Sequence, residues 1–201
     1  MSTRGPSLTV IVGCMFSGKS EELLRCMKRA AIAQLRVLLV KPAIDTRNMA
    51  TRICSRDGRC MDAINVSSTA EIPAAAATYD VVGIDEAQFF DPGIVAAVRT
   101  LYAAGKRIVV AGLDTDHRDD PFGSIPALLC IPEADLVRLR AVCMRCQGEA
   151  TRTFRKSTSQ AQVEIGDGDK YEALCYACYG PAVAERDGTL ERASARATVP
   201  A

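Results

Sequence analysis

The chain of 201 residues has no tryptophan and only 5% aromatic residues, so its core must be built mainly from aliphatic side chains. It also lacks an excess of charge of either sign. The formal net charge is +1, which gives no electrostatic case for gripping nucleic acid or an anionic membrane. No apolar run approaches the ~20 residues that a membrane span needs. Met1 to Ser7 contain no apolar stretch of the kind a secretory signal peptide carries, which predicts a cytoplasmic protein. An even number of cysteines is missing too. There are nine, and an odd count without a signal peptide argues against a disulfide framework. Cys14, Cys26, Cys54, Cys60 and Cys130 are scattered and read as small, partly buried apolar residues.

What is present suits one domain of moderate size with a small appendage. Strands are expected at Leu8–Val12, Arg36–Lys41, Val81–Asp85, Ile108–Leu113 and Leu136–Leu139, and helices at Ser20–Ala33 and Pro92–Ala104, the second stopped by Gly105. Near-continuous apolar runs such as Val37-Leu38-Leu39-Val40 suit strands buried on both faces of a parallel sheet. The alternation predicts an α/β fold over residues 8–140, with ligands beyond the carboxyl ends of the strands. Residues 141–183 change character: they carry two cysteine pairs, several glycines and few apolar runs, as a metal-stapled lobe would. Residues 1–7 and 186–201 are polar or Ala-rich and are expected to be disordered tails.

Gly13-Cys14-Met15-Phe16-Ser17-Gly18-Lys19-Ser20 fits G-x-x-x-x-G-K-[ST], a phosphate-binding loop, and it lies between an apolar strand and a helix as such a loop must. Gly13 and Gly18 let successive N–H groups turn toward phosphate oxygens. Lys19 can reach the β- and γ-phosphates. Ser20 offers a hydroxyl to Mg²⁺ at a helix N-terminus, which favours anions.

The strand Val81-Val82-Gly83-Ile84 ends in Asp85-Glu86. An acidic residue at a strand end is where such folds hold Mg²⁺, often through water, which assigns that role to Asp85. A second carboxylate beside it, Glu86, can take a proton from an attacking hydroxyl or orient a water. The first option makes the protein a kinase, the second a motor or switch ATPase; a small chain without an evident track or nucleic-acid surface favours the kinase.

Cys143-Met144-Arg145-Cys146 and Cys175-Tyr176-Ala177-Cys178 are two C-x-x-C pairs, each able to clamp one edge of a tetrahedral Zn²⁺. Four thiolates close the shell, so the metal would be structural. Residues between the pairs would form a pinned loop in which Ile165 to Tyr171 could close over a ligand and exclude water.

Taken in order, G-x-M-F-S-G-K-S, D-E-x-Q-F-F, G-L-D-x-D…P-F and a four-cysteine lobe with I-G-x-x-x-K-Y resemble the zinc-containing (type II) thymidine kinases over about residues 8–180. The resemblance implies a RecA-like P-loop domain with a zinc-bearing lasso domain. It also implies a homotetramer, transfer of the γ-phosphate of ATP to the 5′-hydroxyl of thymidine with Mg²⁺, and inhibition by dTTP. Carried over by position, Gly13, Cys14, Met15, Phe16, Ser17, Gly18, Lys19 and Ser20 hold ATP together with Asp45, Arg47, Asp85 and Gln88. Glu86 is the base, and Ser20 and Asp85 organise Mg²⁺. Met15, Phe89, Leu113, Phe122, Thr153 and Tyr171 surround the thymine, and the backbone of Val163, Glu164, Ile165, Gly166, Asp167 and Gly168 reads its edge. Two positions depart from the family pattern: His117, the single histidine, stands where an aromatic residue is usual, and Asp167 where a glycine is common. A kinase of another deoxynucleoside, such as deoxyuridine, and a zinc-ribbon P-loop ATPase are the other readings, the latter opposed by the near-zero net charge.

Overall fold

The computed structural model describes residues 5–43, 51–55, 58–159, 161–164, 166 and 168–188. The chain opens with β1 (Ser7–Val12), α1 (Lys19–Ile32) and β2 (Val37–Pro42), then a hairpin of β3 (Arg52–Cys54) and β4 (Cys60–Asp62). It continues through β5 (Ile64–Val66), α2 (Glu71–Ala75), β6 (Val81–Ile84), α3 (Ile94–Ala103), β7 (Arg107–Gly112), α4 (Ile125–Leu129) and β8 (Ala134–Arg138). Strands β5-β2-β6-β7-β1-β8 form one six-stranded sheet in which every neighbouring pair is parallel.

Each of the five expected strands is present within a residue or two of the expected ends. The near-continuous apolar runs are explained by two separate cores. Val10, Val12, Val40, Val82, Ile84, Ile108 and Val110 face α3 and α4, where they meet Ile94, Val98, Leu101, Ile125 and Leu128. Ile11, Leu39, Val81, Val109 and Ala111 face the other way, onto Leu23, Leu24 and Met27 of α1. Gly83 sets the closeness of α1: a Cβ there would lie 2.7 Å from Leu39 Cδ2 and 2.9 Å from Met27 Sδ. Helix α3 begins at Ile94 rather than Pro92, because Asp91 Oδ1 accepts the Gly93 N–H at 2.8 Å and closes a turn first. The short strands β3, β4 and β5 carry no apolar run long enough to be read from sequence.

Beyond β8 the chain makes two small antiparallel ribbons, β9 (Ala141–Val142) with β10 (Glu149–Ala150) and β11 (Arg152–Arg155) with β12 (Tyr171–Leu174), then α5 (Tyr176–Arg186). Helix α5 runs through Gly180-Pro181, with Ala182 buried and Tyr179 packed edge-on to Phe154. The core here is small: Cys14, Ala141, Cys143, Ala150, Phe154, Ala173, Leu174 and Ala182. Among the described residues, no helix is long and apolar enough to cross a membrane.

Candidate active site

The turn after β1 places the phosphate loop at the carboxyl end of the sheet. Gly13 is obligatory, since a Cβ there would sit 2.4 Å from the Leu139 carbonyl oxygen, and Gly18 caps α1 at φ 84°. Lys19 Nζ donates to the Cys14 carbonyl at 2.8 Å, which folds the side chain back over its own loop. Burial pulls the Lys19 pKa down, and the charges of Glu86, Cys14 and Asp85 oppose that pull. The back of the loop is fastened to the small ribbons: the Met15 N–H donates to Thr153 Oγ1 at 3.0 Å, and Cys14 Sγ to the Ala150 carbonyl at 3.5 Å.

Asp85 follows β6 directly, buried, with its N–H on the Val40 carbonyl at 2.9 Å. Its carboxylate accepts the Glu86 N–H at 3.0 Å and a hydrogen bond from Ser20. Burial first, and then the neighbouring Glu86 charge, hold Asp85 well above the usual carboxylate range. A buried carboxylate against the Ser20 hydroxyl is the donor pair that an oxygen-seeking divalent cation takes. Glu86 itself adopts φ 50° and ψ 42°, a left-handed conformation that costs a non-glycine residue about 1 kcal/mol or more and that clusters at functional sites. Gln88 locks it there. The buried Gln88 amide accepts the Leu113 N–H at 3.0 Å and donates to Glu86 Oε2 at 2.5 Å, so the loop after β6 and the end of β7 together fix one carboxylate.

These groups open onto a cavity of about 400 Å³. Met15, Phe16, Gly18, Lys19 and Ser20 line it together with Asp85 and Glu86. So do Phe89, Leu113, Phe122, Thr153 and Tyr171, the residues expected around a base, with Phe89 and Phe122 edge-to-face at 5.6 Å. From the loop after β11 come Val163, Glu164 and Gly166. Gly13, Cys14 and Ser17 form the back of the phosphate loop; Gln88 stands behind Glu86, and Gly168 is also outside the lining. Asp45, Arg47, Ile165 and Asp167 lie outside the described residues.

Several lining residues escaped the sequence reading. Lys41, almost fully buried at the end of β2, had a usable signal in its position at the carboxyl end of an apolar strand. Arg52 to Ser55 of the β3–β4 hairpin, Gln162 and Arg155 had none. His117 lines the cavity and is 7% exposed, with Nδ1 lacking a hydrogen-bond partner among the described residues. Burial, and then the Arg155 charge, lower its pKa. One expectation is corrected: Cys54 and Cys60 are not separate thiols but a disulfide. The hairpin register places them directly opposite each other, with Cα atoms 4.1 Å apart, a proximity that sequence spacing does not reveal.

The remaining cysteine pairs do converge. Cys143 and Cys146 sit in the tight turn joining β9 to β10, closed by Cys143 N–H to Gly148 O at 2.7 Å. Cys175 and Cys178 sit at the start of α5. All four Sγ atoms lie within 4.8 Å of one another. Tetrahedral Zn–S bonds of ~2.3 Å require a sulfur cage of about this size, so the cluster could bind zinc. Burial opposes ionisation of Cys143, but backbone N–H groups of Cys146, Cys175 and Arg145 outweigh it and bring the thiol down to about 6, whereas the hydrogen bond with Cys175 and then burial push Cys178 up to about 12.

The family model described as thymidine kinase matches residues 6–179. A thymidine kinase of Porphyromonas gingivalis is 43% identical over 178 residues, covering 89% of this chain and 87% of its own. Thymidine kinases of Bacteroides fragilis and Mesomycoplasma hyopneumoniae are each 42% identical, covering 89% and 86% of this chain and 89% and 94% of theirs. Domain III of the Thermotoga maritima replication initiation protein DnaA covers 67% of this chain and 54% of that one at 16% identity and a TM-score of 0.42, too remote to carry an argument. Phosphate loop, strand-end carboxylates and cysteine cluster thus sit on a chain matched along nearly its whole length, and the chain belongs to the thymidine kinase family.

Proposed function

We propose that the protein transfers the γ-phosphate of ATP to the 5′-hydroxyl of thymidine, giving dTMP and ADP. The observation that carries this reading is Glu86, held in a strained conformation by Gln88 in the same cavity as Lys19 and Ser20. Glu86 accepts the 5′-hydroxyl proton as the oxygen bonds to the γ-phosphorus and the bond to the ADP oxygen breaks. Lys19 and the loop N–H groups hold the donor phosphates. Ser20 and Asp85 would hold Mg²⁺, which when bound neutralises charge on those phosphates. Cys143, Cys146, Cys175 and Cys178 would hold a structural Zn²⁺ with no open coordination position. Phe89, Phe122, Leu113 and Tyr171 supply apolar surface for a pyrimidine, and the loop at 163–168 supplies backbone groups for its edge.

The same reading takes residues 8–140 as the ATP-binding domain and 141–183 as the lasso domain, with Asp45 and Arg47 near the phosphates. It carries with it a cytoplasmic homotetramer inhibited by dTTP. The test is phosphorylation of a nucleoside panel by the purified protein with Mg-ATP, products separated by chromatography. Thymidine monophosphate formed well above the others is the expected result. Preference for deoxyuridine would reassign the acceptor, and ATP hydrolysis without any nucleotide product would make Glu86 a water-orienting residue.

A further inference from the structure

We propose that Arg155 is the positioning residue that sets the shape of the acceptor loop, acting through three main-chain carbonyls. This rests on the reading above that the loop binds the nucleoside. The β11–β12 ladder ends at the pair Arg155–Tyr171, with one further bond from Lys156 N–H to Lys170 O. Beyond it the described residues of the loop form no strand, so their carbonyls take partners from side chains. Arg155, the last residue of β11, supplies them from a side chain that is 1% exposed. Its Nη1 donates to the carbonyls of Ser159 and Ala161, and its Nη2 to that of Gln162 at 2.8 Å. Val163 and Glu164, both in the cavity wall, follow directly.

On its other sides the guanidinium has looser neighbours: its carbon lies 5.6 Å from the Tyr171 ring centroid, and its Nε, buried without a hydrogen-bond partner among the described residues, is 4.0 Å from Glu164 Oε2. Tyr171 closes the circuit, donating its hydroxyl proton to the Glu164 carbonyl at 2.6 Å. The Arg155 carbonyl accepts from Arg186 Nη1 at 3.1 Å, which ties the arrangement to α5. On the far side of the loop, Gln162 Nε2 donates to Asp116 Oδ2 at 3.3 Å. A planar fork holds three acceptors in fixed directions; an ammonium offers its three donors from one point on a flexible stem and holds them less firmly. The hydrogen bonds, ion pair and ring contact described for Arg155 go to the acceptor loop, Tyr171 and α5, so its effect should fall on the acceptor and not on the donor.

The test is steady-state kinetics of Arg155→Lys and Arg155→Met, each checked for metal content and cooperative thermal unfolding. The KM for thymidine should rise about tenfold or more in the Met variant, since displacement of a binding group by ~1 Å can cost up to 10²-fold. The KM for ATP should stay within about threefold, and Lys should rescue the thymidine KM only partly. An unchanged thymidine KM, full rescue by Lys, or parallel rises in both KM values would overturn the proposal. Should the Met variant not fold, the Lys variant, which keeps charge and most of the volume, decides. Failure of both to fold would overturn it too, by making Arg155 a folding residue. If the wild type phosphorylates no nucleoside at all, it is the functional reading that fails, before Arg155 is reached.

Discussion

The six-stranded sheet and the small ribbons at residues 141–188 solve the problem of rigidity differently. The sheet is clamped between two aliphatic cores, and each fully buried Val, Leu or Ile there is worth about 1.5–3 kcal/mol. The fully buried residues of the ribbon cluster are chiefly alanines and cysteines, with Phe154 and Leu174 as the large apolar side chains among them and Phe16, Tyr179 and Val183 packed partly buried at its edge. An alanine methyl contributes only ~0.8 kcal/mol, so this region needs other ties. It has them in the hydrogen bonds of Arg155 and Arg186, and the four-cysteine cluster could add a metal ion. The lesson is a division of labour: the carboxylates and phosphate loop sit on the apolar scaffold, whereas the loop proposed to grip the nucleoside hangs on polar bonds beside that cluster.

The strongest way to break this comparison is at the donor site on the sheet. Lys19→Ala is expected to bring turnover to background while leaving the metal content of the cysteine cluster unchanged; retained phosphoryl transfer would remove the loop from the mechanism. Glu86→Gln should cut kcat by ~10²-fold or more with ATP affinity, measured by titration, largely intact. Turnover near wild type would mean that another group takes the proton.

Metal removal attacks the other region. Elemental analysis should find one Zn²⁺ per chain, and a chelator should strip amide-exchange protection from β9–β12 and α5 while β1, β6 and β7 keep theirs, because structural zinc supplies ~10 kcal/mol or more of folding free energy. Global loss of protection would show that the two regions are not energetically separable. Conversely, Leu101→Ala in the sheet core should lower stability by ~2–5 kcal/mol in denaturant unfolding with no loss of zinc.

The smallest effect is expected at His117. Its folded pKa is depressed, so the unfolded chain binds the proton more readily and stability must fall as pH drops through the unfolded value of about 6.5 toward the folded one. Arg155, Asp116, Arg118 and Arg186 are the charged groups that act on it. His117→Phe should flatten the stability profile between pH 7 and pH 5, and an unchanged profile would assign that slope to other groups.

Residues 13–20 and 85–86 were legible because their chemistry depends on local spacing: a loop that bends around phosphate must have glycines at fixed offsets, and a strand-end carboxylate follows its strand in sequence. The sheet was legible because strands buried on both faces are apolar at every position. The hairpin carrying Cys54 and Cys60, the helix through Gly180-Pro181, the role of Gln88 as a brace for Glu86 and the buried Arg155 were not. The hairpin depends on a register and Gln88 on the distant Leu113, while the carbonyls that Arg155 gathers lie only a few residues on but in an irregular loop; composition and periodicity encode none of these. By itself, then, the sequence determined the parallel α/β scaffold, the phosphate loop, the acidic pair and the two cysteine pairs, all short-range patterns. Only the tertiary structure decided that Leu113 and Gln88 hold Glu86 and that one buried guanidinium gathers three loop carbonyls, because polar groups are paired by the folded shape of the chain and not by residue type or spacing.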